Sequence, residues 1–124
     1  MKQLDRDLDL TSVILADYKT MLSRIARFGM TEESFVGDHS EDGELAYDAV
    51  MSPVYRIAED ALHLSGALQA AYPDYPWNDI RGFRNFVAHG YREVDRRIAW
   101  KVIESSIPQL AEILCDFQSR HLEI

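Results

Sequence analysis

The run Arg84-Asn85-Phe86-Val87-Ala88-His89-Gly90-Tyr91 places a guanidinium, a carboxamide, an imidazole and a phenol close together in the chain. A guanidinium holds phosphates and carboxylates through paired N–H donors. An imidazole, with an unperturbed pKa of about 6.5, exchanges protons near neutral pH. The combination suits a site for a phosphate-bearing ligand. The surrounding charge points the same way. Residues 81–101 carry six basic side chains (Arg81, Arg84, Arg92, Arg96, Arg97 and Lys101) against Glu93 and Asp95, a local charge of +4. The rest of the chain holds seven basic and nineteen acidic residues, so the whole has a net charge of −8. An acidic body of this kind argues against general nucleic-acid binding but leaves room for one basic patch.

A single helix must carry most of these groups. Proline suits the first helical position, so the helix is expected to begin at Pro76 or Trp77. It is expected to end at His89, with Gly90 as a left-handed stop. Successive residues on a helix advance by about 100°. Ile80, Phe83 and Val87 then form an apolar stripe with Phe86 at its edge, while Arg81, Asn85 and His89 form a polar one. Arg84 falls about 40° from Ile80, at the margin of the core, where an unpaired charge is costly and a partner or wet cleft is required. Arg84 and His89 are about 140° apart on a regular helix. They can meet one ligand if the helix unwinds at His89-Gly90, or if two copies of the helix face each other across a dimer axis.

The remaining pattern supplies the elements that position this helix. Leu4, Leu8, Leu15, Tyr18, Leu22 and Ile25 recur at helical spacing from about Gln3 to Phe28, and Gly29 suits the cap that follows. Met30 to Asp42 reads as a loop with at most a short helix. Leu45, Ala49, Val54, Ile57, Ala61, Leu64 and Leu68 mark a second helix from about Gly43, with a kink or restart expected at Ser52-Pro53. Tyr72-Pro73-Asp74-Tyr75-Pro76 ends it. Asp95 reads as the N-cap of a fourth helix through Ile98, Val102 and Ile103. Pro108 allows a bend or fresh start before Leu110, Ile113, Leu114 and Phe117. No window alternates as a strand does. The expected fold is all-α, an antiparallel bundle of four to five helices forming a single domain over residues 1–124.

Composition narrows the class further. With 47% hydrophobic and 27% charged residues, the chain can bury a core and is neither disordered nor membrane-embedded. No run approaches the ~18 apolar residues of a membrane helix. The charged start Met1-Lys2-Gln3-Leu4-Asp5-Arg6-Asp7 lacks the apolar stretch of a signal peptide. The lone Cys115 excludes an intrachain disulfide and, beside Leu114 and Phe117, is expected in the core. A cytoplasmic location is the default. His39, His63 and His121 have no metal-ligand spacing, so no metal is expected, and Asp38-His39 reads as ordinary loop. There is no glycine-rich phosphate loop and no nucleotidyltransferase signature.

The segment Trp77-Asn78-Asp79-Ile80-Arg81-Gly82-Phe83-Arg84-Asn85-Phe86-Val87-Ala88-His89-Gly90-Tyr91 resembles the signature of the HepT-like branch of the HEPN superfamily. That branch shows an arginine, four residues, then His-x-Tyr, with asparagine commonly after the arginine. Ile57-Ala58-Glu59-Asp60-Ala61 resembles the family's mid-chain Ile-x-Glu-Ala stretch, shifted here to Glu-Asp-Ala. Tyr75-Pro76-Trp77 matches its Pro-Trp, and Val94-Asp95, Trp100 and Ile107-Pro108-Gln109-Leu110 match its closing helix. The resemblance covers roughly residues 40–115.

This resemblance implies a toxin-type ribonuclease, metal-independent and without a cofactor, acting as a homodimer with its site at the interface. Such proteins usually pair with a small nucleotidyltransferase antitoxin, MntA-like. On that basis His89 moves protons in the attack of a ribose 2′-hydroxyl on the adjacent phosphate. Arg84 stabilises the charge developing on phosphorus. Asn85 orients the phosphate or the imidazole, and Arg81 contacts the RNA. Tyr91 matches the tyrosine to which the antitoxin attaches adenylate in relatives, where added bulk and charge would block RNA. Structural alternatives stand beside each role. Arg84 can pair with an acid such as Glu59, His89 can cap its helix, and Tyr91 can simply pack. Arg81, Arg92, Arg96 and Arg97 can serve solvated ion pairs. The competing function is a non-catalytic HEPN binding module that serves a nucleotidyltransferase, and a degenerate dimerisation domain comes third.

Overall fold

The structure is a computed structural model that describes residues 2–90 and 94–122. Among these residues all regular structure is helical, as the periodicity predicts. Four long elements form the bundle: α1 (Lys2–Arg27), α3 (Glu41–Ala61), α5 (Trp77–His89), and a continuous rod of α6 (Arg96–Lys101), a π-helical turn (Val102–Ser106) and α7 (Ile107–Leu122). Two short helices, α2 (Glu32–Gly37) and α4 (Gly66–Ala71), fill the connections. α3 is the hub. It packs against α1 on one side and α5 on another, and α1 also packs against α7. Its buried column of Val50, Met51, Val54, Ile57, Ala58 and Ala61 is the centre of the core. Each of the larger members contributes about 1.5–3 kcal/mol by leaving water.

Three polar pairs align α1 with α3 and with the turn that follows it. Arg24 Nη1 donates to the Ala49 carbonyl at 2.7 Å. Arg56 donates from Nε and Nη2 to Asp17 Oδ1 at 3.1 and 3.0 Å. Asp7 accepts from the Ser65 N–H at 2.9 Å and from its hydroxyl at 2.5 Å. The α1 numbers fall as their partners' rise, so the helices are antiparallel.

The first pair explains why α3 does not stop at Pro53. Proline has no N–H, so the carbonyl four residues earlier, Ala49, loses its helical donor. The Arg24 guanidinium supplies that donor from the neighbouring helix. The expected restart is therefore absent, and α3 runs unbroken to Ala61. The expected continuation to Tyr72 fails instead at Leu62. Ser65 begins a new helix by accepting from the Leu68 N–H at 3.1 Å, while Asp7 holds Ser65 in turn. Leu64 and Leu68 are both buried, so the apolar period survives across a break in the backbone.

Several termini follow the sequence closely. Gly29 takes φ 56°, the Met30 N–H reaches the Ile25 carbonyl, and the Gly29 N–H reaches Ala26, a Schellman cap on α1. Thr31 and Ser34 form a reciprocal capping box on α2, and Asp95 caps α6 through the Arg97 N–H. Gly90 departs from expectation. Its φ of −169° is extended rather than left-handed, and its N–H bonds back to the Val87 carbonyl at 3.3 Å. A π turn directly precedes Pro108, with the Ile107 N–H reaching the Val102 carbonyl, and the rod continues through the proline to Leu122.

Some expected core positions lie outside. Leu45 is 62% exposed, and Leu22 and Ile98 also face solvent. Cys115 is exposed as well. It follows Leu114 in sequence but sits about 100° round the helix from it. On α1 the buried seam is Asp7, Thr11, Ile14 and Met21, with Leu4, Leu8 and Leu15 only partly buried.

The Arg24→Ala substitution is expected to lower the unfolding free energy by about 1–3 kcal/mol, because it leaves the Ala49 carbonyl without a donor. In a Pro53→Ala background the loss should shrink, since position 53 then has its own N–H for that carbonyl. Urea denaturation of the four proteins as a double-mutant cycle measures the coupling. Additive effects would mean that Arg24 and Pro53 do not share the Ala49 carbonyl.

Candidate functional site

α5 crosses α3 in the antiparallel sense, with Ile80, Phe83 and Val87 buried between them. The polar stripe of Arg81, Asn85 and His89 is exposed, as the helical spacing predicts. Phe86 is exposed beside it. Arg84 lies at the margin and is partly buried, with its guanidinium against α3.

Glu59 is the partner of Arg84. Arg84 Nε and Nη2 donate to Glu59 Oε1 at 3.2 and 3.0 Å, and Nη2 also donates to Oε2 at 3.2 Å. Bidentate pairing of this kind fixes the plane of the guanidinium. Arg84 Nη1 donates to the Asn85 side-chain oxygen at 3.2 Å. His63 Nε2 stands 3.5 Å from Glu59 Oε2, one turn further along α3's direction. The carboxylate thus sits between a guanidinium and an imidazole.

His89 is reached through the same asparagine. Its Nδ1 lies 2.7 Å from the Asn85 main-chain carbonyl. A carbonyl only accepts, so this bond places the proton on Nδ1. Nε2 is then the lone-pair nitrogen of the neutral ring, free to take a proton, and a donor once it has done so. The helix stays regular through His89, so the backbone does not unwind there to re-aim the ring. Arg84 and His89 make no direct contact. Asn85 stands between them, its side chain on one and its main chain on the other.

His89 opens onto a groove of about 580 Å³ between α3 and the end of α5, lined also by Met51, Ser52, Tyr55, Arg56, Val87, Ala88 and Gly90. Sequence reading missed Ser52, Tyr55 and Arg56. Their only signal is that an antiparallel partner of His89 must lie a turn or two before the partner of Arg84, which requires knowing the register. Arg81 donates to Asn78 Oδ1 at 2.7 Å and stays exposed one turn from Arg84. Tyr91, Arg92 and Glu93 lie outside the described residues.

The basic segment does not form one uninterrupted face. Arg96 pairs with Glu44 and lies 3.7 Å over the Tyr47 ring, with its side chain only 15% exposed. The Arg96 hydrogen bond, followed by that of His39, lowers the Glu44 carboxyl below its ordinary value. Arg96 therefore fastens α6 to α3. Arg97 and Lys101 remain exposed.

Among the described residues no three His, Cys, Asp or Glu side chains cluster in a way that could hold a metal ion. Nor is any described helix long and apolar enough to cross a membrane.

Comparison with known proteins gives a consistent family. The family described as "Ribonuclease HepT-like" matches residues 18–116. The chain is 26% identical over 62 residues to "Putative RNase MJ1380" of Methanocaldococcus jannaschii, a stretch that is 50% of this chain and 57% of that protein. It is 29% identical over 62 residues to "Probable ribonuclease HepT" of Thermococcus cleftensis, covering 50% and 56%. With "Putative RNase TTE0752" of Caldanaerobacter subterraneus subsp. tengcongensis it shares 28% over 97 residues, covering 78% and 80%. The chain thus spans little more than half the length of the first two. No solved structure matches it.

The end of α3 carries an electrostatic load that can be measured. Glu59 and Asp60 both lie in its last turn, where the helix dipole disfavours acids, and no base shares that turn. Burial, and then the charge of Asp17, push the Asp60 carboxyl above its ordinary value. The fold therefore favours protonated Asp60. That stabilisation is fully present below the unfolded pKa of about 3.8 and is lost as pH rises through the higher folded value. Asp60→Asn should raise stability at pH 7 by about 0.3–1 kcal/mol and make little difference at pH 3. Thermal melts of the two proteins at both pH values check it.

Proposed function

The chain belongs to the ribonuclease HepT-like family, and from that premise we propose that it is the toxin of a HEPN/nucleotidyltransferase toxin–antitoxin pair. It cleaves RNA in the cytoplasm without a metal or cofactor, at an Arg/His site shared by two copies of the chain. The observation that carries this reading is the arrangement around Asn85. One residue links a partly buried guanidinium fixed by Glu59 to an exposed imidazole whose Nε2 has no partner among the described residues.

In the proposed reaction His89 Nε2 takes the proton of a ribose 2′-hydroxyl. The oxygen attacks the adjacent phosphorus, the bond to the 5′-oxygen breaks, and a protonated histidine returns a proton to that leaving oxygen. The products are a 2′,3′-cyclic phosphate and a 5′-hydroxyl, so no water is consumed in this step. Arg84 offsets the charge that builds on the phosphoryl oxygens. Two His89 residues across a dimer axis supply base and acid together. Asn85 keeps the imidazole in the tautomer the base needs, and exposed Arg81 and Asn85 contact the RNA backbone. Adenylation of Tyr91 by an MntA-like antitoxin would introduce a negative group close to Arg84 in the chain and exclude substrate. In this reading residues 1–124 act as a single HEPN/HepT-like helical domain.

The alternative is a non-catalytic HEPN module that pairs with a nucleotidyltransferase. One observation favours it: in the isolated chain Glu59 already occupies Arg84, as a purely structural arginine would be.

Purified protein is expected to cut single-stranded RNA in the presence of a chelator, with Arg84→Ala and His89→Ala each slower by about 100-fold or more. Equal cleavage by all three proteins would remove both residues from the mechanism. Sedimentation of the unmodified chain should give a dimer, and a monomer at the concentrations that cleave RNA would rule out a shared site.

A further inference from the structure

We propose that the groove between α3 and the last turn of α5 is a nucleobase subsite that takes a guanine of the RNA strand, with Arg56 reading its edge and Tyr55 its face. The inference rests on the ribonuclease reading for its substrate class, since His89 lines the same groove. A base held there belongs to a nucleotide next to the bond that His89 acts on.

The argument begins with the donors of Arg56. A guanidinium has five N–H groups. Arg56 Nε and Nη2 each give one to Asp17, and Nη1 gives one to the Ser52 hydroxyl at 2.8 Å. Among the described residues two N–H groups remain, one on each terminal nitrogen. The guanidinium is anchored yet accessible, for the Arg56 side chain is 47% exposed while Asp17 is 14% exposed. A pre-set pair of donors recognises a ligand with little further loss of freedom.

The surroundings favour a neutral ring over a phosphate. Asp17 already balances the charge of Arg56, and Asp60 is close enough to feel both. A second anion would gain little here. The groove walls are mostly apolar, with Met51, Tyr55, Val87 and Ala88 among them. Its volume of about 580 Å³ falls within the range of small-ligand sites. A flat ring with two neighbouring acceptors meets all three conditions. Guanine offers O6 and N7 on one edge, the pair that a forked arginine matches. Adenine has a donor in place of O6, and the pyrimidines lack N7. Tyr55, partly buried against the core, supplies an aromatic surface for stacking.

Titration of the whole protein with guanosine 3′-monophosphate, adenosine 3′-monophosphate, uridine 3′-monophosphate and ribose 5-phosphate tests the assignment. The guanine nucleotide should bind about tenfold more tightly than the others. Tyr55→Leu, which keeps the apolar volume, should weaken guanosine 3′-monophosphate by about tenfold. Arg56→Lys, which keeps the charge beside Asp17 but not the fork, should abolish the preference for guanine. Equal binding of all four probes by the unmodified protein, or a guanine preference that survives both substitutions, would overturn the subsite. RNA cleavage separates this from the reading it rests on. Cuts with no preference for a neighbouring guanosine overturn the subsite and leave the nuclease standing. Guanine-selective binding with no cleavage supports the subsite and removes the nuclease.

Discussion

The bundle depends on α3 remaining one helix across Pro53. That helix carries the centre of the core and, on its outer faces, the Glu59 partner of Arg84 and the far wall of the groove beside His89. Proline in mid-helix removes a backbone donor, and the part-buried carbonyl of Ala49 loses its helical partner. The Arg24 side chain resolves this from α1. The same contact fixes where α1 lies along α3, the Asp17–Arg56 pair continues that alignment, and Asp7 reaches beyond the end of α3 to Ser65. A local defect in one helix has thus become a registration point between two.

Registration has functional weight because the site is assembled across helices. Glu59 meets Arg84, and Tyr55 and Arg56 line one groove with His89, only because α3 and α5 pass each other at one particular offset. A shift of one residue along α3 would rotate Glu59 by about 100° away from the guanidinium. The acidic body therefore does more than repel polyanions. Asp17, Glu44 and Glu59 each fix one arginine in place, and they leave Arg56 and Arg84 oriented rather than freely mobile.

Local signals in the sequence were legible. Gly29, Asp95 and the Ile80–Phe83–Val87 stripe depend on neighbours within a turn or two, and all are found where the pattern puts them. The pairing of Arg84 with Glu59 could be named as one option because a marginal arginine must find an acid. The groove beside His89 was not legible. Its walls come from residues more than thirty positions apart, and no periodicity within one helix reports the offset between two. Cys115 and Leu45 mislead for a simpler reason: an apolar residue next to the core in sequence can point away from it on a helix. Asp7 misleads in the opposite direction, since it is a charged residue buried by its bonds to Ser65.

Asn85 holds its two neighbours by different means. Its side-chain oxygen accepts from Arg84, whereas its main-chain carbonyl meets His89. The first contact is a property of asparagine and the second of any residue that keeps the helix. Mutational drift at position 85 can therefore alter the setting of the arginine while the imidazole keeps its tautomer. The two halves of the site are free to evolve separately, although a single residue joins them.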